Sequence, residues 1–158
     1  MSRLNDLEEI PFEDGRQSEA AREIWRGTGR LLRELGWSCV AELGLSGGRR
    51  ADLAALSRTG DIWIVEIKSS LEDFRADNKW SDYREHCDQF YFAVTSSFPR
   101  DVLPDDTGLI IADRYGAEII REAPEHRLSG ARRKAVALRF ARTAATRLHR
   151  LFDPDQLA

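Results

Sequence analysis

The chain has 158 residues, 42% hydrophobic and 32% charged, with a formal net charge of -3, which suits one globular domain with a real core and not a general polyanion binder. No apolar run approaches the ~18 residues of a membrane span, and the acidic opening "MSRLNDLEEIPFEDGRQ" lacks the basic start and apolar centre of a secretory leader. Cys39 and Cys87 match no CxxC or zinc spacing, so a cytoplasmic chain with two reduced thiols is expected.

Residues 1–17 read as an acidic, poorly ordered lead-in, and residues 18–158 as a single domain. Ser18 is a fitting N-cap for a helix whose apolar stripe runs through Ala20, Ile24, Thr28, Leu31 and Leu35, widened by Ala21, Trp25 and Leu32, with Gly36 at its C-terminal end. Gly27 and Gly29 weaken that helix or let another backbone approach it. Three strand-like segments follow, 37–45, 50–56 and 61–69, joined by "LSGGRR" and "SRTG", which predicts an antiparallel meander.

"LEDFRADNKWSDYREHCDQ" reads as helix broken near Asn78, and "FYFAVTSSF" as a strand ending at Pro99. "TGLIIADRYGAEIIRE" gives two short strands about "DRYG". A helix over about 129–151 closes the chain, with Ala135, Leu138, Ala145, Leu148 and Leu151 as its apolar side. From His126 to Phe152 there are eight Lys or Arg and no acidic residue, a concentrated basic segment on an acidic protein. The order αβββαβββα predicts an α/β fold, a mixed sheet with helices on both faces.

"IWIVEIKSS", Ile62 to Ser70, carries two charges in what otherwise reads as a buried strand. Glu66 and Lys68, two apart, share a face with Ile62 and Ile64 and need compensation there. Asp52 in "RRADLAAL" lies on the preceding strand. Two carboxylates converging on a buried spot repel, which raises their pKa values or demands a cation, and oxygen ligands with several waters suit Mg²⁺ or Mn²⁺. Asp52 shares a face with Glu66 only if an odd number of residues, three or five, connects the strands, or a bulge intervenes; an unbulged four-residue "SRTG" loop turns Asp52 away.

Asp52, then Glu66-x-Lys68 on consecutive strands behind a helix containing Glu23, resembles the PD-(D/E)XK nuclease superfamily, although Ala51 stands where that motif has proline. The resemblance implies a restriction-endonuclease-like αβββαβ core and Mg²⁺-dependent phosphodiester hydrolysis, with Mn²⁺ able to substitute. Asp52 and Glu66 would be metal ligands, a carbonyl such as that of Ile67 would complete the site, and Lys68 would orient or stabilise the attacking water. Glu23, or alternatively Glu19, would be the carboxylate of the first helix. Further, "GGRRADLAAL", "WIVEIKSSLEDFRADNKWSDYREHCDQFYFAV" and "GLIIAD" are similar to the MmcB-like family, which implies a role in DNA repair, a DNA substrate and a divalent metal.

Arg49 and Arg50 at the strand entrance, Lys79 after the motif, and Arg132, Arg133, Lys134 and Arg139 in the basic helix are then the candidates for DNA-backbone contact. Plainer alternatives stand beside these roles. Glu66 and Lys68 could form a salt bridge at a strand end, Asp52 could pair with Arg49 or Arg50, and Asp73, Asp77 and Lys79 could be a solvated helix face. The competing function is a DNA-binding repair accessory protein that keeps the fold without cleaving, or more remotely an RNA-directed one. A homodimer would suit the cutting of two strands, but no residue pattern demands one.

Overall fold

The computed structural model describes residues 18–154, so the lead-in expected for residues 1–17 lies outside the described residues. In chain order the elements are α1 (Glu19–Glu34), β1 (Ser38–Gly44), β2 (Arg50–Leu56), β3 (Ile62–Ile67), α2 (Leu71–Ala76), a 3₁₀ segment over Trp80–His86, β4 (Gln89–Val94), a short 3₁₀ turn at Arg100–Val102, β5 (Gly108–Ala112), β6 (Ala117–Arg121) and α3 (Gly130–Phe152). The six strands form one sheet in sequential order. β1, β2 and β3 make an antiparallel meander, β3, β4 and β5 run parallel, and β6 returns antiparallel to β5. This is the expected nuclease-like α/β core with a C-terminal helix. No described helix is long and apolar enough to cross a membrane.

Local chemistry sets the boundaries. The Ser18 hydroxyl accepts from the Ala21 N–H and caps α1, and Gly36 takes φ +88 just past its end. Ser70 caps α2 in the same way, and Asp77 stops it. The sheet has an apolar layer on each face. Val40, Ala54, Ile64, Phe90 and Phe92 pack with Tyr83 of the 3₁₀ segment and with Val136, Phe140 and Ala144 of α3. Leu53, Val65, Tyr91 and Ile110 pack with Ile24 and Leu32 of α1. Sandwiched between these layers, β3 is buried at all six positions, which is why it reads as an unbroken apolar run. Both cysteines are free thiols, their pKa values pushed up by burial, Cys39 to about 11 and Cys87 to about 12.

Gly27 serves close approach: a Cβ there would collide with the carbonyl oxygens of Asp113 and Gly116 in the β5–β6 turn. Gly29 has open space around it.

The apolar side expected for α3 is corrected. Leu138 and Leu148 are each 53% exposed and Leu151 62%, and Ala135 and Ala145 are exposed as well; Val136, Thr143 and Arg147 are buried instead. The reason lies in β1. The Arg147 guanidinium donates to the carbonyl oxygens of Ala41 and Glu42, and Arg139 donates to that of Gly44 at 3.4 Å. α3 therefore turns Arg139 and Arg147, with Val136 and Thr143 on the same side, toward the outer strand of the sheet.

Candidate functional site

The register places the two carboxylates opposite one another. Leu56 pairs with Ile62 and Leu53 with Val65, so the β2–β3 connection is the five residues 57–61, and the same register sets Asp52 against Glu66. Ser57 builds that turn, its hydroxyl accepting from the N–H groups of Thr59 and Asp61, while Gly60 takes φ +91. An odd connection is what Asp52 and Glu66 require to share a face.

At Asp52 the sheet opens. Regular β2–β3 pairing stops at Leu53–Val65, and side chains take over: the Asp52 N–H donates to Glu66 Oε1 at 3.0 Å and the Ile67 N–H donates to Asp52 Oδ2 at 2.8 Å. On the other side, the β1–β2 ladder skips the Glu42–Asp52 position, and Glu42 has φ +49, in the left-handed region that a β-strand residue with a side chain rarely adopts. The distortion therefore lies on both sides of Asp52, and Arg147 grips its outer strand. Backbone strain of this kind gathers at functional positions.

Electrostatics single out the same residues. Burial pushes Asp52 up to about 6, against the hydrogen bond from the Ile67 N–H and the charge of Lys68. Glu66, 4% exposed, is raised well above the ordinary carboxylate value by burial and then by the charge of Asp52. For Lys68, 5% exposed, burial alone would lower the pKa, but the Asp77 hydrogen bond and the nearby carboxylates outweigh it and hold the ammonium above its usual value. Lys68 Nζ lies 2.8 Å from Asp77 Oδ2, and Asp77 is itself held low by Lys68 and the Lys79 N–H despite its burial. These groups open into a cleft of about 350 Å³ lined by Ser18, Ala21, Asp52, Glu66, Ile67, Lys68, Ser69 and Asp73. Among the described residues no group of three or more His, Cys, Asp or Glu is arranged to hold a metal. The donor set is thus two carboxylates and whatever carbonyl oxygens adjoin them, hard ligands that fit a Mg²⁺-like ion.

The remaining sequence candidates divide. Glu23 does not line the cleft: α1 presents Ser18 and Ala21 there, and Glu23 sits about 200° around the helix from Ala21. Arg133 is tied to the fold, its guanidinium forking onto both carboxylate oxygens of Asp88 at 2.7 Å and onto the Gly60 carbonyl at 2.8 Å. That arrangement argues against a phosphate-binding role. Arg139 points to β1 as described, and Arg49 pairs with Asp82 at 2.9 Å. Arg50 offers its carbonyl to the Tyr83 hydroxyl. Lys79, Arg132 and Lys134 are exposed.

One residue named in the sequence takes a different part, and one was not named at all. Asp77 is no solvated helix face but the partner of Lys68. Asp88, 2% exposed, takes the N–H groups of Ile62 and Leu128 besides Arg133, locking the start of β3 to the start of α3. Nothing local in "HCDQF" signals this, because all of its partners are at least 26 residues away.

Comparison with curated proteins gives no significant match. Among solved structures, a protein of unknown function from Silicibacter pomeroyi is similar, with 45% identity, a TM-score of 0.85, and coverage of 88% of this chain and 95% of that one. The profile of the DNA repair protein MmcB-like family matches residues 8–155, almost the entire sequence, and on that match the chain belongs to the MmcB-like family of DNA repair proteins.

Proposed function

We propose that the chain is a divalent-metal-dependent DNA endonuclease acting in repair. The observation that carries this reading is the opened β2–β3 pair, where Asp52 and Glu66 face one another across a gap with raised proton affinity and Lys68 stands beside them. A buried pair of carboxylates that repel one another is suited to a cation. Asp52, Glu66 and the Ile67 carbonyl would hold Mg²⁺, or Mn²⁺ in its place. The ion would supply Lewis-acid polarisation of a phosphodiester. Lys68, held protonated and positioned by Asp77, is suited to stabilising the negative charge that builds on the phosphate during attack. Lys79 and Arg50 flank this face and are candidates for backbone contact.

A non-cleaving DNA-binding repair factor is the second reading. It is favoured by the pairing of Lys68 with Asp77 and by the short donor set: among the described residues no third carboxylate joins Asp52 and Glu66 in a metal-holding group. Cleavage of single-stranded, duplex, flapped and branched DNA with Mg²⁺ or Mn²⁺ separates the two. The nuclease reading expects cleavage that Asp52→Ala and Lys68→Ala abolish while DNA binding persists. No cleavage of any substrate, with equal binding by both variants, sinks it.

A further inference from the structure

The cleft is acidic, so a nucleic acid reaching it needs cationic purchase elsewhere, and the basic helix α3 commits Arg133, Arg139 and Arg147 to the fold. α1 offers another surface. Arg22, Arg26, Arg30 and Arg33 are all exposed. At 100° per residue they fall within an arc of about 80°, opposite the buried Ile24, Gly27, Thr28 and Leu32. They span about 16 Å along the axis, with the first three about 6 Å apart, a spacing that suits successive phosphates of one strand. The same helical count puts Glu19 within that arc and Glu23 and Glu34 at its far border, so four arginines face one or two carboxylates there, while Ser18 and Ala21, at the N-terminal end of the helix, line the cleft itself.

The far end of the stripe meets the β5–β6 turn. Arg30 donates to the Tyr115 carbonyl at 3.3 Å, and the close backbone approach at Gly27 seats the helix on that turn. The Tyr115 ring is 70% exposed, with the Arg114 guanidinium 5.0 Å above it. An exposed aromatic ring beside an arginine is a stacking platform for an unpaired base.

We infer that a single-stranded DNA segment leaving the cleft crosses α1 on Arg22, Arg26 and Arg30 and ends stacked on Tyr115. The inference rests on the DNA reading above and names the form of DNA: the strand must be unpaired where it meets the tyrosine, because a base within a duplex hides its face. Preferred substrates then carry a flap or gap next to the scissile bond.

The test is anisotropy of labelled single-stranded, flapped and blunt duplex DNA over a salt series, using the full chain without divalent metal. The wild-type protein is expected to prefer single-stranded and flapped DNA. The double variant Arg22→Glu, Arg26→Glu should weaken that binding by about tenfold or more and lower the slope of log affinity against log salt by about 1.4. Tyr115→Ala should cost about tenfold on single strands and flaps and leave blunt duplex unchanged. All these side chains are exposed, so the variants are expected to fold, which thermal melting checks.

Unchanged affinity and salt slope in both variants would overturn the surface and leave the nuclease reading standing. So would a loss seen only on reversing Arg132 and Lys134 of α3. Binding that depends on α1 in a protein that cleaves nothing would support the surface and refute only the nuclease. A wild-type chain that binds no DNA overturns both.

Discussion

Lys68 is held in place by the fold itself. Its ammonium meets Asp77 at 2.8 Å with the lysine side chain 6% and the aspartate 19% exposed, so the pair is largely withdrawn from water. Removing one partner of such a pair leaves the other charge buried, at a cost of about 3–5 kcal/mol when both are fully enclosed. Because Asp77 keeps some contact with solvent, Asp77→Ala should destabilise by about 2–3 kcal/mol, read from urea unfolding. On the nuclease reading it should also lower cleavage by about ten- to a hundredfold with DNA affinity unchanged, as expected of a residue that acts through Lys68. Retained cleavage would mean that Lys68 finds its own place. Glu66 and Lys68 were legible in the sequence because charges inside an apolar strand violate its pattern. Asp77 was not, because an aspartate in a polar stretch violates nothing and its meaning lies in where α2 ends.

At the scale of elements, the antiparallel meander, the positions of the later strands and the two long helices were readable from periodicity and turn residues, since each is specified over a few neighbours; the parallel direction of β4 and β5 and the 3₁₀ form of Trp80–His86 were not. The face of α3 was not. Its alanines and leucines allow more than one apolar stripe, and the choice was settled by Arg147 and Arg139 finding carbonyl partners on β1, a tertiary fact. Matched substitutions test this. Val136→Ala, at 3% exposure, should cost about 1–3 kcal/mol, whereas Leu148→Ala, at 53%, should stay within about 0.5 kcal/mol. Equal costs would restore the face expected from the sequence. The two glycines of α1 make a second pair. Gly29→Ala should be neutral or stabilise by up to about 1 kcal/mol through helix propensity. Gly27→Ala should destabilise by about 1–3 kcal/mol or more, because the new methyl meets backbone carbonyls of the β5–β6 turn that cannot swing aside. Thermal melts of the four variants decide both comparisons.

For the molecule as a whole, the cleft couples stability to pH. Asp52 and Glu66 have folded pKa values raised above their ordinary 3.8 and 4.5, Asp52 to about 6. The native protein therefore holds protons that the unfolded chain has released, and stability falls as pH rises through that window. What these groups contribute is fully present below the ordinary carboxylate range and lost above their folded pKa values. Asp77 and Asp88 are shifted down, so their contribution is lost only as pH falls below 3.8, outside the window. His86 opposes the trend: burial, and then Arg132, lower its pKa, which favours folding as pH rises toward 6.5. The informative quantity is therefore the difference between wild type and Asp52→Asn. Without divalent metal, the wild-type melting temperature should drop relative to the variant between pH 5 and pH 8. On the metal reading, Mg²⁺ should recover that loss at pH 8, by about 1.4 kcal/mol for each tenfold of concentration above the dissociation constant, and should do less at pH 5, where protons compete for the same oxygens. The variant keeps the titrations of Glu66 and His86 but loses that of Asp52, and should gain far less from Mg²⁺. If wild type and Asp52→Asn melt in parallel across the range and Mg²⁺ moves neither, the two carboxylates are an inert part of the sheet, and the metal-dependent reading falls with them.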